Sequence, residues 1–272
     1  SERRVRNDRA ADLLVDRGYQ EAITYSFTDA NWQSILLPEP AFALANPISA
    51  ELGVMRLSLW PGLLYILREN QRRQQQRVRL FEIGRRYDQY GAETEVIAGV
   101  AAGDALPEQW GSESRALDFF DVKSDVEALL TLAGERSNVR FVADTHPALH
   151  PGQCARIWRD GRQAGWIGAL HPAHAARMDL TYPVFVFEIE TEAALAAELP
   201  EYCEISKYPA IRRDIAVIVE EALAADPLIA TVREGAGELL KGVSVLSVYR
   251  GPQIQKGMKS IALGLQLQDT SR

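Results

Sequence analysis

The sequence has few of the residues that build metal, redox or disulfide sites. Its 272 residues include two cysteines and four histidines. Cys154 and Cys203 lie far apart and outside any paired motif, so we expect reduced thiols in a cytoplasmic protein. No apolar run approaches the ~20 residues that span a bilayer, and no basic-then-apolar signal segment opens the chain. Neither a membrane protein nor an exported one is expected.

Positive charge is also scarce. The formal net charge is −7, which argues against bulk attraction to DNA or any other nucleic acid. The deficit is uneven, because residues 204–272 carry nine Lys and Arg against eight Asp and Glu, a net of +1 that leaves −8 for the preceding residues. An RNA contact is therefore favoured in the C-terminal part.

The order of apolar periodicities predicts an α+β protein with two domains. In residues 1–200, hairpin signals alternate with helices, which favours a mainly antiparallel sheet with helices packed against it. One predicted helix runs from Arg3 to Arg17. The alternation from Glu21 to Phe27 predicts a half-buried strand with Ile23, Tyr25 and Phe27 on one face. The pair Asp160-Gly161, between two β-like runs, is typical of a two-residue hairpin turn.

A new pattern begins after a short Ala-rich helix, Ala193 to Leu199, and a linker. It predicts a strand, a helix and two strands, at Ile211–Glu220, Asp226–Leu240, Val243–Tyr249 and Ser260–Gln268. This β-α-β-β order matches the start of a ferredoxin-like βαββαβ unit. We therefore expect a second domain over 204–272 that is truncated before its last helix and strand.

A zinc site is the sharper interpretation of the four histidines. They form two close pairs near Cys154: His146 with His150, and His171 with His174. Such spacing brings ligands together on a regular helix, but Pro147, Pro151 and Pro172 interrupt helix at both pairs. We predict no metal.

The sequence contains no complete catalytic motif. Three glycines near the end of a predicted helix are Gly235, Gly237 and Gly242. Because no Gly-Lys-Ser/Thr follows them, helix termination explains them better than a phosphate cradle. Asp118 and Asp121 are expected to cap a helix and not to form an acid–base pair. Glu188, in a strongly apolar strand, is either an interface residue or, as we favour, a buried hydrogen-bonded carboxylate.

Two groups of residues are candidates for binding RNA. The densest basic cluster contains Arg68, Arg72, Arg73, Arg77 and Arg79, interleaved with glutamines. It is either a solvated helix end or a contact to RNA phosphates or to an acidic partner subunit. The second group, in the C-terminal domain, contains Tyr249, Arg250, Lys256, Lys259 and Ser260. An aromatic side chain beside a hydroxyl and cations suits single-stranded RNA, although aromatic residues in strands are more often core.

At this point the sequence resembles a known family, the beta subunits of bacterial phenylalanyl-tRNA synthetase. The first domain contributes Asn46-Pro47-Ile48-Ser49, Met55-Arg56-Leu57-Ser58-Leu59, Pro61-Gly62-Leu63-Leu64, Leu80-Phe81-Glu82-Ile83-Gly84, Asp118-Phe119-Phe120-Asp121-Val122-Lys123, His150-Pro151-Gly152 and Leu170-His171-Pro172. The second contributes Lys207-Tyr208-Pro209, Arg213-Asp214, Val248-Tyr249-Arg250-Gly251 and Gly257-Met258-Lys259-Ser260. Together they cover nearly the whole chain in the family's order.

The resemblance implies that the first domain has a class II aminoacyl-tRNA synthetase fold without catalytic residues. Asp88 follows Gly84-Arg85-Arg86-Tyr87, where an active relative needs an arginine for the ATP α-phosphate. In this family the alpha subunit performs the ligase chemistry with ATP and Mg²⁺ in an α2β2 assembly. We therefore expect no cofactor in this chain itself, and expect the alpha subunit and phenylalanine tRNA as partners.

The second domain resembles the family's ferredoxin-fold anticodon-binding domain. Carried over by position, Tyr249 would stack on an anticodon base and Ser260 would hydrogen-bond it. The family often has an acid where Ser247 stands, and a hydroxyl there can still donate or accept one bond. Two rival hypotheses remain: an active class II ligase, which predicts ATP or phenylalanine binding, and a protein-interaction module without an RNA role, which predicts a buried Tyr249.

Overall fold

The computed structural model describes residues 5–134, 138–181, 183–197 and 206–269. The chain divides into two compact units, Ser1–Pro200 (unit 1) and Glu201–Arg272 (unit 2). Cys203, the start of the helix predicted from Arg3, the end of the Ala-rich helix and the predicted linker lie outside the described residues. No helix among the described residues is long and apolar enough to cross a membrane.

Unit 1 is built on a sheet with helices on both faces. Its helices are α1 (Asn7–Asp16), α2 (Ala30–Leu36), α3 (Trp60–Arg72), α4 (Phe119–Thr131), α5 (Pro172–Arg177) and α6 (Thr191–Leu195), with a 3-10 turn at Ala50–Leu52. Its strands are β1 (Gln20–Glu21), β2 (Phe27–Thr28), β3 (Val54–Met55), β4 (Val78–Tyr87), β5 (Glu93–Ala102), β6 (Val139–Ala143), β7 (Leu149–Arg159), β8 (Arg162–Leu170) and β9 (Val184–Glu190).

The main sheet confirms the predicted architecture. Within the described residues it has seven strands in the order β1-β4-β5-β9-β8-β7-β6. Its strand pairs are antiparallel except β1 with β4. The β7–β8 hairpin turns at Asp160 and Gly161, with φ of 49° and 79°, as a two-residue turn with positive φ requires.

The predicted helix ends are found where the capping residues stand. The Asp29 carboxylate accepts the Asn31 N–H at the start of α2. At α4, Asp118 and Asp121 form a reciprocal capping box, which satisfies backbone donors that the first turn leaves free. Pro61 lies in the first turn of α3. The acid–base alternative for the two aspartates is thereby replaced by a structural role.

The sheet separates two apolar layers. One face packs on α3, where Leu63, Leu64 and Leu67 are fully buried. The other face packs on α1, α4 and α6, and includes Phe187. Gly99 allows this packing, since a Cβ there would lie 2.4 Å from the Phe187 ring. Burial of this area on both faces is the main stabilising contribution to unit 1.

The strand predicted from Glu21 to Phe27 is wrong. In this segment the chain is a strand only at Gln20–Glu21 and Phe27–Thr28. The side chains of Ile23 and Tyr25, between them, are 89% and 69% exposed. The Ala22 N–H still bonds the Phe81 carbonyl, after which the chain leaves the sheet. Apolar alternation cannot distinguish such an exposed segment from a half-buried strand.

Unit 2 contains β10 (Ile211–Glu220), α7 (Ala225–Ala236), a 3-10 turn (Gly237–Leu239), β11 (Leu240–Tyr249) and β12 (Met258–Leu267). Its three described strands are antiparallel in the order β10-β12-β11. This confirms the predicted β-α-β-β order. Helix α7 ends earlier than predicted, because Gly237 adopts φ 57° at its C-terminus, a conformation that glycine tolerates best.

Candidate nucleic-acid interface

One face of the unit 2 sheet collects three of the candidate RNA-binding residues. Ser260 on β12 pairs with Tyr249 on β11 and with Ile218 on β10. Paired residues of antiparallel strands project from the same face, as do residues two apart on one strand. Ser247, which pairs with Ala262, therefore joins them. We call the surface formed by Ile218, Ser247, Tyr249 and Ser260 the tyrosine face.

The tyrosine face has the chemistry that single-stranded RNA needs. Tyr249 is 45% exposed and Ile218 is 60% exposed. An accessible aromatic ring can stack on an unpaired base, and hydroxyls can both donate to and accept from base edges. Tyr249 lies directly across from Ser260, so one base can meet both groups.

The predicted cations are placed differently. Lys259 alternates with Ser260 on β12, so it projects from the opposite face, where it is 9% exposed. Its ammonium donates to the Glu221 carbonyl at 2.8 Å. Arg250 follows β11 and its guanidinium pairs with the Glu221 carboxylate at 2.7 Å. Both cations therefore contact Glu221, and Arg250 is adjacent to Tyr249 in the chain.

The basic cluster around α3 is dispersed. The Arg68 guanidinium lies over the rings of Trp32 and Tyr65, at 4.8 and 4.9 Å. Arg79 is buried and pairs with Asp125 at 2.7 Å, and the other three arginines have separate surroundings. Arg72 bonds Asp179 and Glu69, Arg73 is exposed at the end of α3, and Arg77 is half-buried.

The environments of two of these arginines shift their pKa values in opposite directions. The hydrogen bond to Asp179 raises the pKa of Arg72, whereas burial and the neighbouring Arg79 lower that of Arg77. Both side chains remain cationic at neutral pH. A phosphate would have to displace existing contacts at Arg68 and Arg72.

A groove that the sequence did not reveal lies beside this cluster. It has a volume of about 820 Å³. Its lining includes Ile23, Tyr25, Trp32, Tyr65 and Arg68. Ile23, Tyr25 and Tyr65 are more than half exposed. Since Ile23 and Tyr25 were expected in a strand face, no local signal distinguished this surface from core. We call it the apolar groove.

The cation at the base of the apolar groove is already neutralised. Arg56 and Glu82 form an ion pair of 2.8 Å in which both side chains are 5% exposed. The Thr24 hydroxyl donates to the other oxygen of Glu82 at 2.7 Å. Arg56 also donates to the Arg85 carbonyl. Its guanidinium is thus committed to internal partners.

Glu188 is a buried hydrogen-bonded carboxylate, which confirms the favoured interpretation. It is 5% exposed and accepts the Ser58 hydroxyl and the Leu59 N–H, at 2.7 and 2.9 Å. Arg86 pairs with its other oxygen at 2.9 Å. Asp88 instead shapes a turn, accepting the backbone N–H groups of residues 90 and 92. These groups stabilise unit 1.

The histidines have structural partners. The Nδ1 atoms of His150 and His171 accept the N–H groups of Gly152 and Ala173. His146 lies between Trp60 and Trp166, where burial and then Arg156 lower its pKa to about 4. Within the described ranges, no three His, Cys, Asp or Glu residues are grouped to hold a metal ion. Cys154 is buried, and burial raises the pKa of its thiol to about 11.

The fold is similar to that of solved aminoacyl-tRNA synthetase structures. A solved structure of Desulfitobacterium hafniense PylSc, a pyrrolysyl tRNA synthetase, aligns with a TM-score of 0.53 and 14% identity, covering 69% of this chain and 64% of that one. A second pyrrolysyl-tRNA synthetase structure from the same organism gives a TM-score of 0.52. At this identity the likeness concerns the fold alone.

Sequence families identify the chain more closely. The phenylalanyl tRNA synthetase beta chain CLM domain matches residues 1–191, and the ferredoxin-fold anticodon binding domain matches residues 206–272. The chain belongs to the phenylalanyl-tRNA synthetase beta chain family. The expected resemblance and the expected fold class are confirmed.

Curated relatives carry the same assignment. The phenylalanine–tRNA ligase beta subunit of Methylococcus capsulatus is 47% identical over 266 residues, covering 96% of this chain and 34% of the relative. That of Coxiella burnetii is 44% identical over 277 residues, covering 100% and 35%. The chain thus spans about a third of the length of these relatives.

Proposed function

We propose that this chain serves phenylalanine–tRNA ligase as a non-catalytic beta-subunit part, in which residues 204–272 bind the tRNA anticodon and residues 1–200 associate with the alpha subunit. In this proposal the α2β2 enzyme works in the cytoplasm and uses ATP, Mg²⁺, phenylalanine and tRNA. The small-molecule substrates bind elsewhere in the enzyme.

The tyrosine face is the observation that supports anticodon binding. Tyr249 offers an aromatic surface, Ser260 lies directly across from it, and Ser247 lies two residues away on the same side. Tyr249 is 45% exposed, whereas a protein-interaction module without an RNA role predicts that it is buried. Arg250, at the end of β11, would contact the RNA backbone as a phosphate-binding cation.

The experiment is a fluorescence-anisotropy titration of the chain with a labelled phenylalanine tRNA anticodon stem-loop at low salt. We expect Tyr249→Ala to weaken binding by about 1–3 kcal/mol, because base–aromatic stacking is lost. Val248→Ala is the matched control. Val248 is 42% exposed and adjacent to Tyr249 on β11, but alternation directs it to the opposite face.

Two results would contradict anticodon binding. One is equal affinity for the phenylalanine loop and for a stem-loop with an unrelated anticodon. The other is an equal loss of affinity in the Val248 and Tyr249 variants. Measurable binding of ATP or phenylalanine to the isolated chain would favour the rival active ligase.

The apolar groove supports association with the alpha subunit. Ile23, Tyr25 and Tyr65 are exposed at its lining, and exposed apolar patches with aromatic side chains are typical of protein interfaces. The nearby arginines of α3 would contact acidic groups of the partner at the rim. Arg56, buried and paired with Glu82, argues against a phosphate ligand at the base.

Co-purification with the alpha subunit tests this association. We expect Ile23→Glu and Tyr25→Glu to abolish or strongly reduce recovery of the complex, since each places an unpaired charge in an apolar contact. Tyr90→Glu is the control, because Tyr90 is 80% exposed and does not line the groove. Full recovery of the complex with both groove variants would place the interface elsewhere.

A further inference from the structure

Gly251, two residues after Tyr249, is in contact with the Tyr249 ring. A Cβ placed on Gly251 would lie 2.1 Å from the Tyr249 hydroxyl oxygen, 2.2 Å from Cζ and 2.9 Å from Cε1. The hydroxyl end of the ring therefore occupies the space where any other residue would have its side chain. The ring leans along the chain over Gly251.

Backbone conformation does not explain the glycine. The φ of Gly251 lies outside the left-handed region, unlike that of Gly257 at 86° in the same loop. Pro252 follows, and a residue before proline favours extended conformations that alanine also adopts. A side chain at 251 would therefore conflict with the Tyr249 ring, which would have to move, and not with the backbone conformation.

The orientation of the Tyr249 ring affects its ability to stack on a base. A base stacks on one flat face of an aromatic side chain, so the direction in which the ring lies decides whether that face is available beside Ser260. A tyrosine free to change rotamer would lose conformational entropy when a base orders it. Contact with the Gly251 backbone limits that freedom before RNA arrives.

From this geometry we propose that Gly251 is a positioning residue for the anticodon base: its missing side chain lets Tyr249 lie in the orientation that stacks on an unpaired base. This inference rests on the proposed function and deepens it. It assigns a role in RNA affinity to a residue that acts through the Tyr249 ring.

The test is a double-mutant cycle in the stem-loop titration described above. We expect Gly251→Ala to weaken binding roughly five- to 100-fold, within the range of a lost stacking contact. In the Tyr249→Ala background, the same substitution should have almost no further effect, because residues that act through one contact are not additive. A merely structural role would weaken both backgrounds equally.

Gly257→Ala is the matched control. It strains the loop at a positive φ, but a Cβ there meets nothing within 4 Å. We expect Gly257→Ala to leave Tyr249→Ala as harmful as in the wild-type chain. A readout without RNA is the chemical shift of the Gly251 α-protons, which the ring current should displace and Tyr249→Ala should restore.

Each outcome separates the two hypotheses. If Tyr249→Ala weakens binding but Gly251→Ala does not, the positioning role is wrong and anticodon binding stands. If Gly251→Ala is equally harmful with and without Tyr249, the glycine serves the loop and not the ring. If Tyr249→Ala itself has no effect on binding, the proposed function and this inference both fail.

Discussion

The two units differ in the burial of their ion pairs. Unit 1 contains buried pairs at its sheet, such as Arg56–Glu82 and Arg79–Asp125, in which every side chain is at most 7% exposed. In unit 2 the described ion pairs, Arg212–Asp214 and Arg250–Glu221, are at least 46% exposed on each side. Groups already paired away from water cannot be recruited by a ligand without a large cost.

This difference teaches where to look for binding in a chain with a synthetase fold. Unit 1 has an apolar layer on each face of its sheet, so its surface offers shape and apolar contact. Unit 2 exposes Ile218 and Tyr249 from its sheet, so strand residues themselves can meet a ligand. A protein partner suits the first surface and an unpaired base suits the second.

The largest expected effect comes from breaking a buried pair in unit 1. Glu82→Ala leaves Arg56 buried without its carboxylate, which should lower the free energy of unfolding by about 3–5 kcal/mol. Urea unfolding followed by tryptophan fluorescence measures it, because all five tryptophans lie in unit 1. Glu93→Ala, which removes the exposed partner of Arg85, should cost no more than about 1 kcal/mol. An equal loss of unfolding free energy in the Glu82 and Glu93 variants would show that buried and exposed ion pairs of unit 1 do not differ in their contribution to stability.

The second prediction concerns acid. The pKa of His146 is about 4 in the folded chain, below its ordinary value of 6.5. The unfolded chain therefore binds the proton more tightly, so stability is complete above about pH 6.5 and falls as the pH drops toward 4. Between about pH 8 and about pH 5 we expect a loss of about 2 kcal/mol by the same fluorescence assay.

His146→Gln supplies the comparison for the acid experiment. It removes the titrating group and should flatten this part of the pH dependence, although the variant is less stable throughout. An unchanged slope between the two pH values would show that other groups control the acid sensitivity of unit 1. All four histidines of the chain lie in unit 1, so unit 2 should lack this response.

A smaller effect is expected for the hydroxyl across from Tyr249. Ser260→Ala removes the hydroxyl that is proposed to bond the anticodon base, and should weaken stem-loop binding by about 0.5–1.5 kcal/mol. The tryptophan-monitored unfolding of unit 1 should not change. If Ser260→Ala binds like the wild-type chain with every loop sequence, Tyr249 alone carries the contact and the tyrosine face does not read base edges.

The smallest expected effect is an increase in RNA affinity. Glu221→Gln frees Arg250 from its exposed ion pair, so RNA affinity should rise by roughly two- to fivefold, in keeping with the value of such pairs. Salt should reduce the gain. Glu220→Gln changes net charge equally while leaving the Arg250–Glu221 pair intact. An equal gain in both variants would indicate a general charge effect and no specific release of Arg250.

Much of the fold followed from local patterns. Asp118 and Asp160 were recognisable because capping and tight turns depend on a few neighbouring backbone groups. The strand Ile211–Glu220 was recognisable from its residue pattern, and the structure gives the same bounds. The strand prediction around Tyr25 was wrong. The burial of an alternating segment depends on which other elements cover it, and the neighbouring residues in the sequence do not specify that.

For the candidate site, too, the sequence identified residues and the tertiary structure decided how they are grouped. Tyr249 and Ser260 were identified from their residue types and Ser247 from the resemblance, and only strand pairing brings the three to one face. Lys259, adjacent in sequence, projects from the other face because strand side chains alternate. Arg68, Arg72, Arg73 and Arg77 are close in sequence, but aromatic rings, acids and burial place them in separate environments.

By itself, the sequence determined the order of helices and strands and the residue types available for binding, since these depend on composition and short-range pattern. The family followed from the resemblance of its motifs. Tertiary structure decided which of those residues are free. The burial of Arg56 with Glu82, the exposure of Ile23 and the ring of Tyr249 over Gly251 each depend on segments meeting in space. Whether a charged group stabilises the fold or is available to a ligand depends on its burial and its partners, and only the tertiary structure sets these.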